Sequence, residues 1–174
     1  MNDGVDRHAL PGAFSTQYNI VTTVDVAGVL AGKPASDCIW MTDNSPTSTG
    51  KGSAALETVC RRGQVLNWLV YSLDSEQRPD GSYPPIARIL NIAFLRGDTD
   101  FLAAFDAGFD VKVFGAPDRI RSPYTPVYAY WAGMVPVDAR LGRTRYRMTV
   151  EIAGVGGGRP TYVELSQPSI TIAG

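Results

Sequence analysis

Along Thr144–Ile152 apolar and polar side chains change places at every step. Thr144, Tyr146, Met148, Val150 and Ile152 fall on one side of an extended chain, and Arg145, Arg147, Thr149 and Glu151 fall on the other. A period of two is that of a β-strand with one buried face. Similar short runs recur: 18–26, 38–42, 54–60, 65–72, 86–95, 109–114, 127–135, 161–165 and 169–172. Turn-forming residues separate them, as in Arg62-Gly63, Pro79-Asp80-Gly81 and the glycines of 154–158, where proline presets φ and glycine accepts positive φ. One segment reads differently. Asp98–Ala107 carries an N-cap candidate, Asp98, ahead of a run containing three alanines, and predicts a short helical turn near 98–107.

Eight to ten strands, little helix and short connections predict an all-β fold, an antiparallel two-sheet β-sandwich of jelly-roll or immunoglobulin-like type. A closed barrel is the alternative. With 174 residues, the chain is long enough for one domain with a substantial core, expected over 18–174 after a flexible N-terminal lead-in, 1–17.

Charge changes the picture by exclusion. Sixteen basic and 17 acidic residues leave a formal net charge of −1, without the basic surplus that nucleic-acid binding draws on. No apolar run approaches the ~20 residues of a membrane-spanning helix, and the first residues lack the basic start and apolar stretch of a secretory signal. The expectation is a cytoplasmic protein with neither nucleic-acid nor membrane partners. Cys38 and Cys60 are expected as buried apolar thiols, not as a disulfide or half of a zinc site.

Candidate chemistry is sparse. Ser48–Ser53, STGKGS, fails the phosphate-loop pattern because Ser45 stands at the first glycine and Gly52 follows Lys51 where a hydroxyl belongs. Arg159 takes the third-glycine position after Gly154, so no dinucleotide loop is expected. Asp98, Asp100, Asp106 and Asp110 are the densest carboxylates, but Leu102 and Ala103 break the calcium-loop spacing. The single histidine, His8, lies in the lead-in, so no Ser-His-Asp or Cys-His device is assembled. The chain is expected to be no enzyme, with no catalytic residues, metal or cofactor.

Binding is the remaining class. Trp40, Trp68 and Trp131 stand inside strands, where aromatics are core or interface. Tyr128 and Tyr130 share a face opposite Trp131 and, with the basic stripe Arg143, Arg145 and Arg147, form the expected subunit contact of a homo-oligomer. Sugar sites pair an aromatic face with carboxylate or amide groups. Asp43, Asn44, Asp80 and Tyr83 are the residues expected to bind such a ligand, a glycan, with or without calcium.

TVDVAGVL at 23–30, the stretch from Ile39 to Asp74, YRMTVEI at 146–152 and TYVELSQPSITI at 161–172 together resemble the AidA/PixA inclusion-body family of bacterial proteins. Val24-Asp25-Val26 resembles the family's opening strand end, Trp40-Met41 its second strand, and Thr49-Gly50-Lys51-Gly52 its polar glycine loop. Gly63-Gln64 and Trp68 resemble the turn before its aromatic strand. The sequence departs from the pattern at Gln64, where the family has Asp, and at Gln167-Pro168, where it has Asp-Pro; 74–126 matches in outline only. The resemblance implies a cytoplasmic all-β protein without catalytic residues, associated with quorum-sensing-controlled expression, dense intracellular inclusions and life with hosts. Some related proteins are suspected of binding sugars.

Overall fold

The structure, a computed structural model, describes residues 17–74, 77, 79–96, 100–103, 110–114, 128–154, 156 and 158–174. Its described elements are strands β1 (Gln17–Val24), β2 (Ile39–Asp43), β3 (Glu57–Arg61), β4 (Val65–Ser72), β5 (Ala87–Arg96), β6 (Asp100–Ala103), β7 (Asp110–Phe114), β8 (Tyr128–Met134), β9 (Gly142–Ile152), β10 (Thr161–Leu165) and β11 (Ser169–Ala173). Two short helices, α1 (Val26–Leu30) and α2 (Ala35–Cys38), connect β1 to β2. One sheet runs β2-β1-β4-β8-β7. The other runs β3-β11-β9-β5-β6, with β10 also on β9.

The two inner faces close on one core. Ile20, Met41, Leu66 and Trp68 from the first sheet meet Ile92, Tyr146, Met148, Val150 and Ile152 from the second, all without solvent exposure. The alternation along 144–152 is the cause on the second sheet: Tyr146, Met148, Val150 and Ile152 point inward, while Arg145 is exposed. Trp68 packs edge-on against Tyr146 and Phe94, with ring centroids 5.9 and 6.0 Å apart. The barrel alternative does not describe this arrangement.

Both sheets are mixed, which corrects the expectation of an antiparallel sandwich. β1 lies parallel to β4, and β3 parallel to β11. The reason lies in the turn at Arg62-Gly63. It joins β3, in one sheet, to β4, in the other, so these neighbours in sequence do not pair as a hairpin. The chain leaves the first sheet after β2 and re-enters it at β4 in the direction of β1. Short loops enforce antiparallel pairing only when both strands stay in one sheet.

The helical turn expected near 98–107 is also corrected. Asp100–Ala103 is strand β6, paired antiparallel with Ala93–Arg96 of β5, and Asp98 lies outside the described residues. Pairing with a neighbouring strand overrides the local helical preference. Helix instead follows β1, where the Asp25 carboxylate accepts from the backbone N–H of Gly28 at 2.9 Å and caps α1. The lead-in, apart from Gln17, and the loop 117–126 lie outside the described residues.

Candidate functional site

At one end of the sandwich, the connection from β4 to β5 builds a groove. Its tip is the Pro79-Asp80-Gly81 turn: Asp80 Oδ1 accepts from the Ser82 backbone N–H at 2.9 Å and from its hydroxyl at 2.6 Å, and Gly81 sits at φ +82°. The neck is tied by Ala87 N–H donating to Ser72 Oγ at 3.1 Å, and Ala153 N–H donating to Ile86 O at 3.1 Å joins it to the second sheet. Pro84 and Pro85 are buried, which forces Tyr83 and Ile86 outward at 67% and 71% exposure. The groove between Val70–Asp74 and Tyr83–Ala87 has a volume of about 340 Å³. Two tyrosines, Tyr71 and Tyr83, and one carboxylate, Asp74, line it among apolar neighbours. That set offers ring faces to C–H surfaces and an acceptor to hydroxyls.

Two of the four residues expected to bind ligand, Asp80 and Tyr83, belong to this loop. The other two do not. Asp43 pairs with Ile20 and Asn44 follows it, whereas the groove adjoins Ser72, which pairs with Val24 four residues along β1. Four residues of strand are ~13 Å. Asn44 binds the start of β1, accepting from Asn19 N–H at 2.8 Å and donating to Gln17 O at 3.2 Å.

Asp43 has a buried side chain. Its Oδ1 lies 3.2 Å from Lys51 Nζ and accepts from Ser45 N–H at 3.1 Å; its Oδ2 is buried without a hydrogen-bond partner. Lys51 Nζ donates as well to the carbonyls of Asp43 and Ser45. The loop after β2, residues 44–53, is therefore a clasp. Met41 bridges Ser53 on the first sheet's edge, and Thr49 bridges Glu57 on the second's. Lys51, in the segment that superficially resembles a phosphate loop, holds this clasp to Asp43. Burial raises the Tyr146 phenol above its ordinary range, with the Asp43 charge adding to the rise and the hydrogen bond from Trp68 opposing it.

The basic stripe lies on the outer face of the second sheet and is largely ion-paired. Arg143 Nε donates to Ser169 Oγ at 3.0 Å and lies 3.4 Å from Glu57 Oε2. Arg147 lies 3.6 Å from Glu164, and Arg88 pairs with Glu151 at 2.6 Å on the same face. Arg145 is exposed. Tyr130 is half-buried on the outer face of the first sheet, so the structure puts it and the arginines on opposite outer faces; the side chain of Tyr128 lies outside the described residues.

Cys38 and Cys60 are both free and buried, as the sequence suggests. Among the described residues, no group of three or more His, Cys, Asp or Glu is arranged to hold a metal ion. His8, Asp98 and Asp106 lie outside the described residues. No described helix is long and apolar enough to cross a membrane. Sequence reasoning missed Tyr71 and Asp74. Tyr71 could have been found, because it continues the outward set Val65, Asn67, Leu69 on β4; that Asp74 would face Tyr83 depends on the fold of the loop.

A family model for a domain of unknown function (DUF8788) matches residues 16–80. No curated protein sequence matches the chain. Among solved structures, the fold is similar to the inclusion body protein PixA of Burkholderia cenocepacia J2315, with a TM-score of 0.57, 13% identity, and coverage of 90% of this chain and 95% of that one. The resemblance to the AidA/PixA proteins thus holds at the level of the fold.

Proposed function

We propose that this chain is a non-enzymatic β-sandwich protein of the inclusion-body type, which acts by associating with further copies of itself. The observation that carries the reading is the end-to-end likeness of fold to the PixA inclusion body protein, over nine-tenths of both chains. A net charge of −1 also supports it, because copies with little net charge repel one another weakly. Quorum-sensing-controlled expression, a cytoplasmic location and a role in host association belong to the same proposal. The test is expression of the untagged chain in a bacterial host. Dense intracellular bodies that dissolve to folded protein are expected; full recovery in the soluble fraction at high expression contradicts the reading.

A second reading, a lectin-like site, is favoured by one feature, the groove with Tyr71, Tyr83 and Asp74. A glycan array read with and without calcium tests it, with weak, Tyr83-dependent binding expected and a blank array contradicting it.

A further inference from the structure

The two outer faces of the sandwich differ in charge. The second sheet carries the paired arginines and glutamates described above. On the first sheet, the outward positions of β2, β1, β4 and β8 are the alternate residues of Trp40–Thr42, Gln17–Thr23, Val65–Tyr71 and Tyr130–Met134. None of them is charged. Beyond β8, strand β7 pairs with it in the register Asp110 to Ala132 and Lys112 to Tyr130.

The field is organised in rows. Trp40, Thr23 and Tyr71 are register partners across β2, β1 and β4, so a small residue lies between two aromatic ones. Thr42, Val21 and Leu69 form the next row. Beyond them is a patch of amides, in which Asn67 Nδ2 donates to Asn19 Oδ1 at 2.9 Å. Trp40, Val21 and Leu69 are half-buried, Tyr71 is 44% exposed, and Met134 is 53% exposed. Depleted charge with tyrosine and tryptophan is the composition of an interface core, not of an ordinary solvated sheet face.

We infer that this face of β2-β1-β4-β8 is where one copy of the chain docks on a second. The inference rests on the self-association reading above and names its surface. Charge selects the occupant. In a two-fold contact each face meets itself, so the arginine-bearing face would have to bury its ion pairs away from water, while the uncharged face meets its copy without burying an ion. An uncharged face also offers nothing to a strongly charged partner. Area is consistent with a pair: roughly a dozen outward positions at ~33 Å² each give about 400 Å² in projection per copy. Side-chain relief and the exposed Tyr83 and Ile86 beside Tyr71 add to this, which brings it to the scale of a small specific interface.

The test is the molar mass of the full chain by size-exclusion chromatography with light scattering, across a concentration series. Leu69→Lys and, as a variant at an already exposed position, Thr42→Lys are compared with Arg145→Glu on the other face. Circular dichroism and melting establish that each variant is folded. Because a two-fold contact carries each substitution twice, either lysine is expected to weaken association roughly 100-fold or more. Arg145→Glu is expected to leave it unchanged. If the wild type associates and folded Thr42→Lys and Leu69→Lys associate as well as it does, the surface is wrong and the self-association reading stands. The same holds if only Arg145→Glu dissociates. If the wild type is monomeric at every concentration, the self-association reading fails and this surface with it.

Discussion

The indole N–H of Trp68 donates to the phenol oxygen of Tyr146 at 3.1 Å, across the middle of the sandwich. It is a buried polar bond between facing sheets, and each ring also packs against Phe94. Tyr146→Phe keeps the ring and removes the acceptor. Leaving a buried donor without that acceptor costs about 1–3 kcal/mol. Urea unfolding should show this loss with an unchanged m-value, and an unchanged midpoint would mean that the bond contributes nothing.

Alkaline pH should destabilise the fold. Burial pushes the Cys60 thiol up to about 11, from an ordinary 9.0, and raises the Tyr146 phenol above its ordinary 10.0. Both are acids whose folded pKa is raised. The unfolded chain loses these protons first, so stability is full below pH 9 and declines as pH rises, between about 9 and 11 through Cys60 and from about 10 upward through Tyr146, by up to about 1.4 kcal/mol per pH unit for each group. Cys60→Ala should flatten the decline between pH 9 and 11, measured as urea midpoints at each pH.

Lys51 anchors the clasp that covers both sheet edges. Lys51→Met strands the Asp43 carboxylate, whose Oδ2 already has no partner. Breaking a buried pair costs about 3–5 kcal/mol. Since the Lys51 side chain keeps 37% of its exposure, about 2–3 kcal/mol is expected here. Asp43→Asn combined with Lys51→Met should recover part of that loss in a double-mutant cycle.

Gly50 shapes the same clasp. It sits at φ +71°, and a Cβ there would lie 2.6 Å from the Ala55 carbonyl oxygen. Gly50→Ala is therefore expected to cost about 1–3 kcal/mol through strain and clash together. Thermal melting reads this directly; a neutral result would mean that the loop takes another path.

Tyr83 stands at the opposite end and is largely exposed. Tyr83→Ala should leave the melting temperature within ~1–2 °C of the wild type. It should abolish any glycan signal of the groove in the array format.

What the sequence makes legible is what depends on local pattern. Side-chain alternation along Thr144–Ile152 and the apolar run Val65–Ser72 place strands β9 and β4 within two residues of their observed ends. Pairing is another matter. Nothing local in Arg62-Gly63 tells a hairpin turn from a crossing between sheets, and that distinction decides whether β4 joins β3 or β1. The helical reading of Asp98–Ala107 fails for the same reason, since its middle is held as a strand by β5. Asp25 caps α1, but the alternation before it reads on as strand through Val26 and hides that role in the sequence. Away from the groove, Asp43 and Lys51 are eight residues apart in a polar loop, and only the fold shows that the carboxylate turns inward. Tyr83 and Asp80 could be read from the turn signal beside them; Tyr71 and Asp74 become partners of that loop only once β4 and β5 are placed.

Sedimentation velocity of the purified chain over a hundredfold range of concentration tests the proposed joining of copies most directly. The weight-average sedimentation coefficient should rise with concentration. A single boundary at the monomer value throughout, given a monomer of 18.7 kDa, would contradict it.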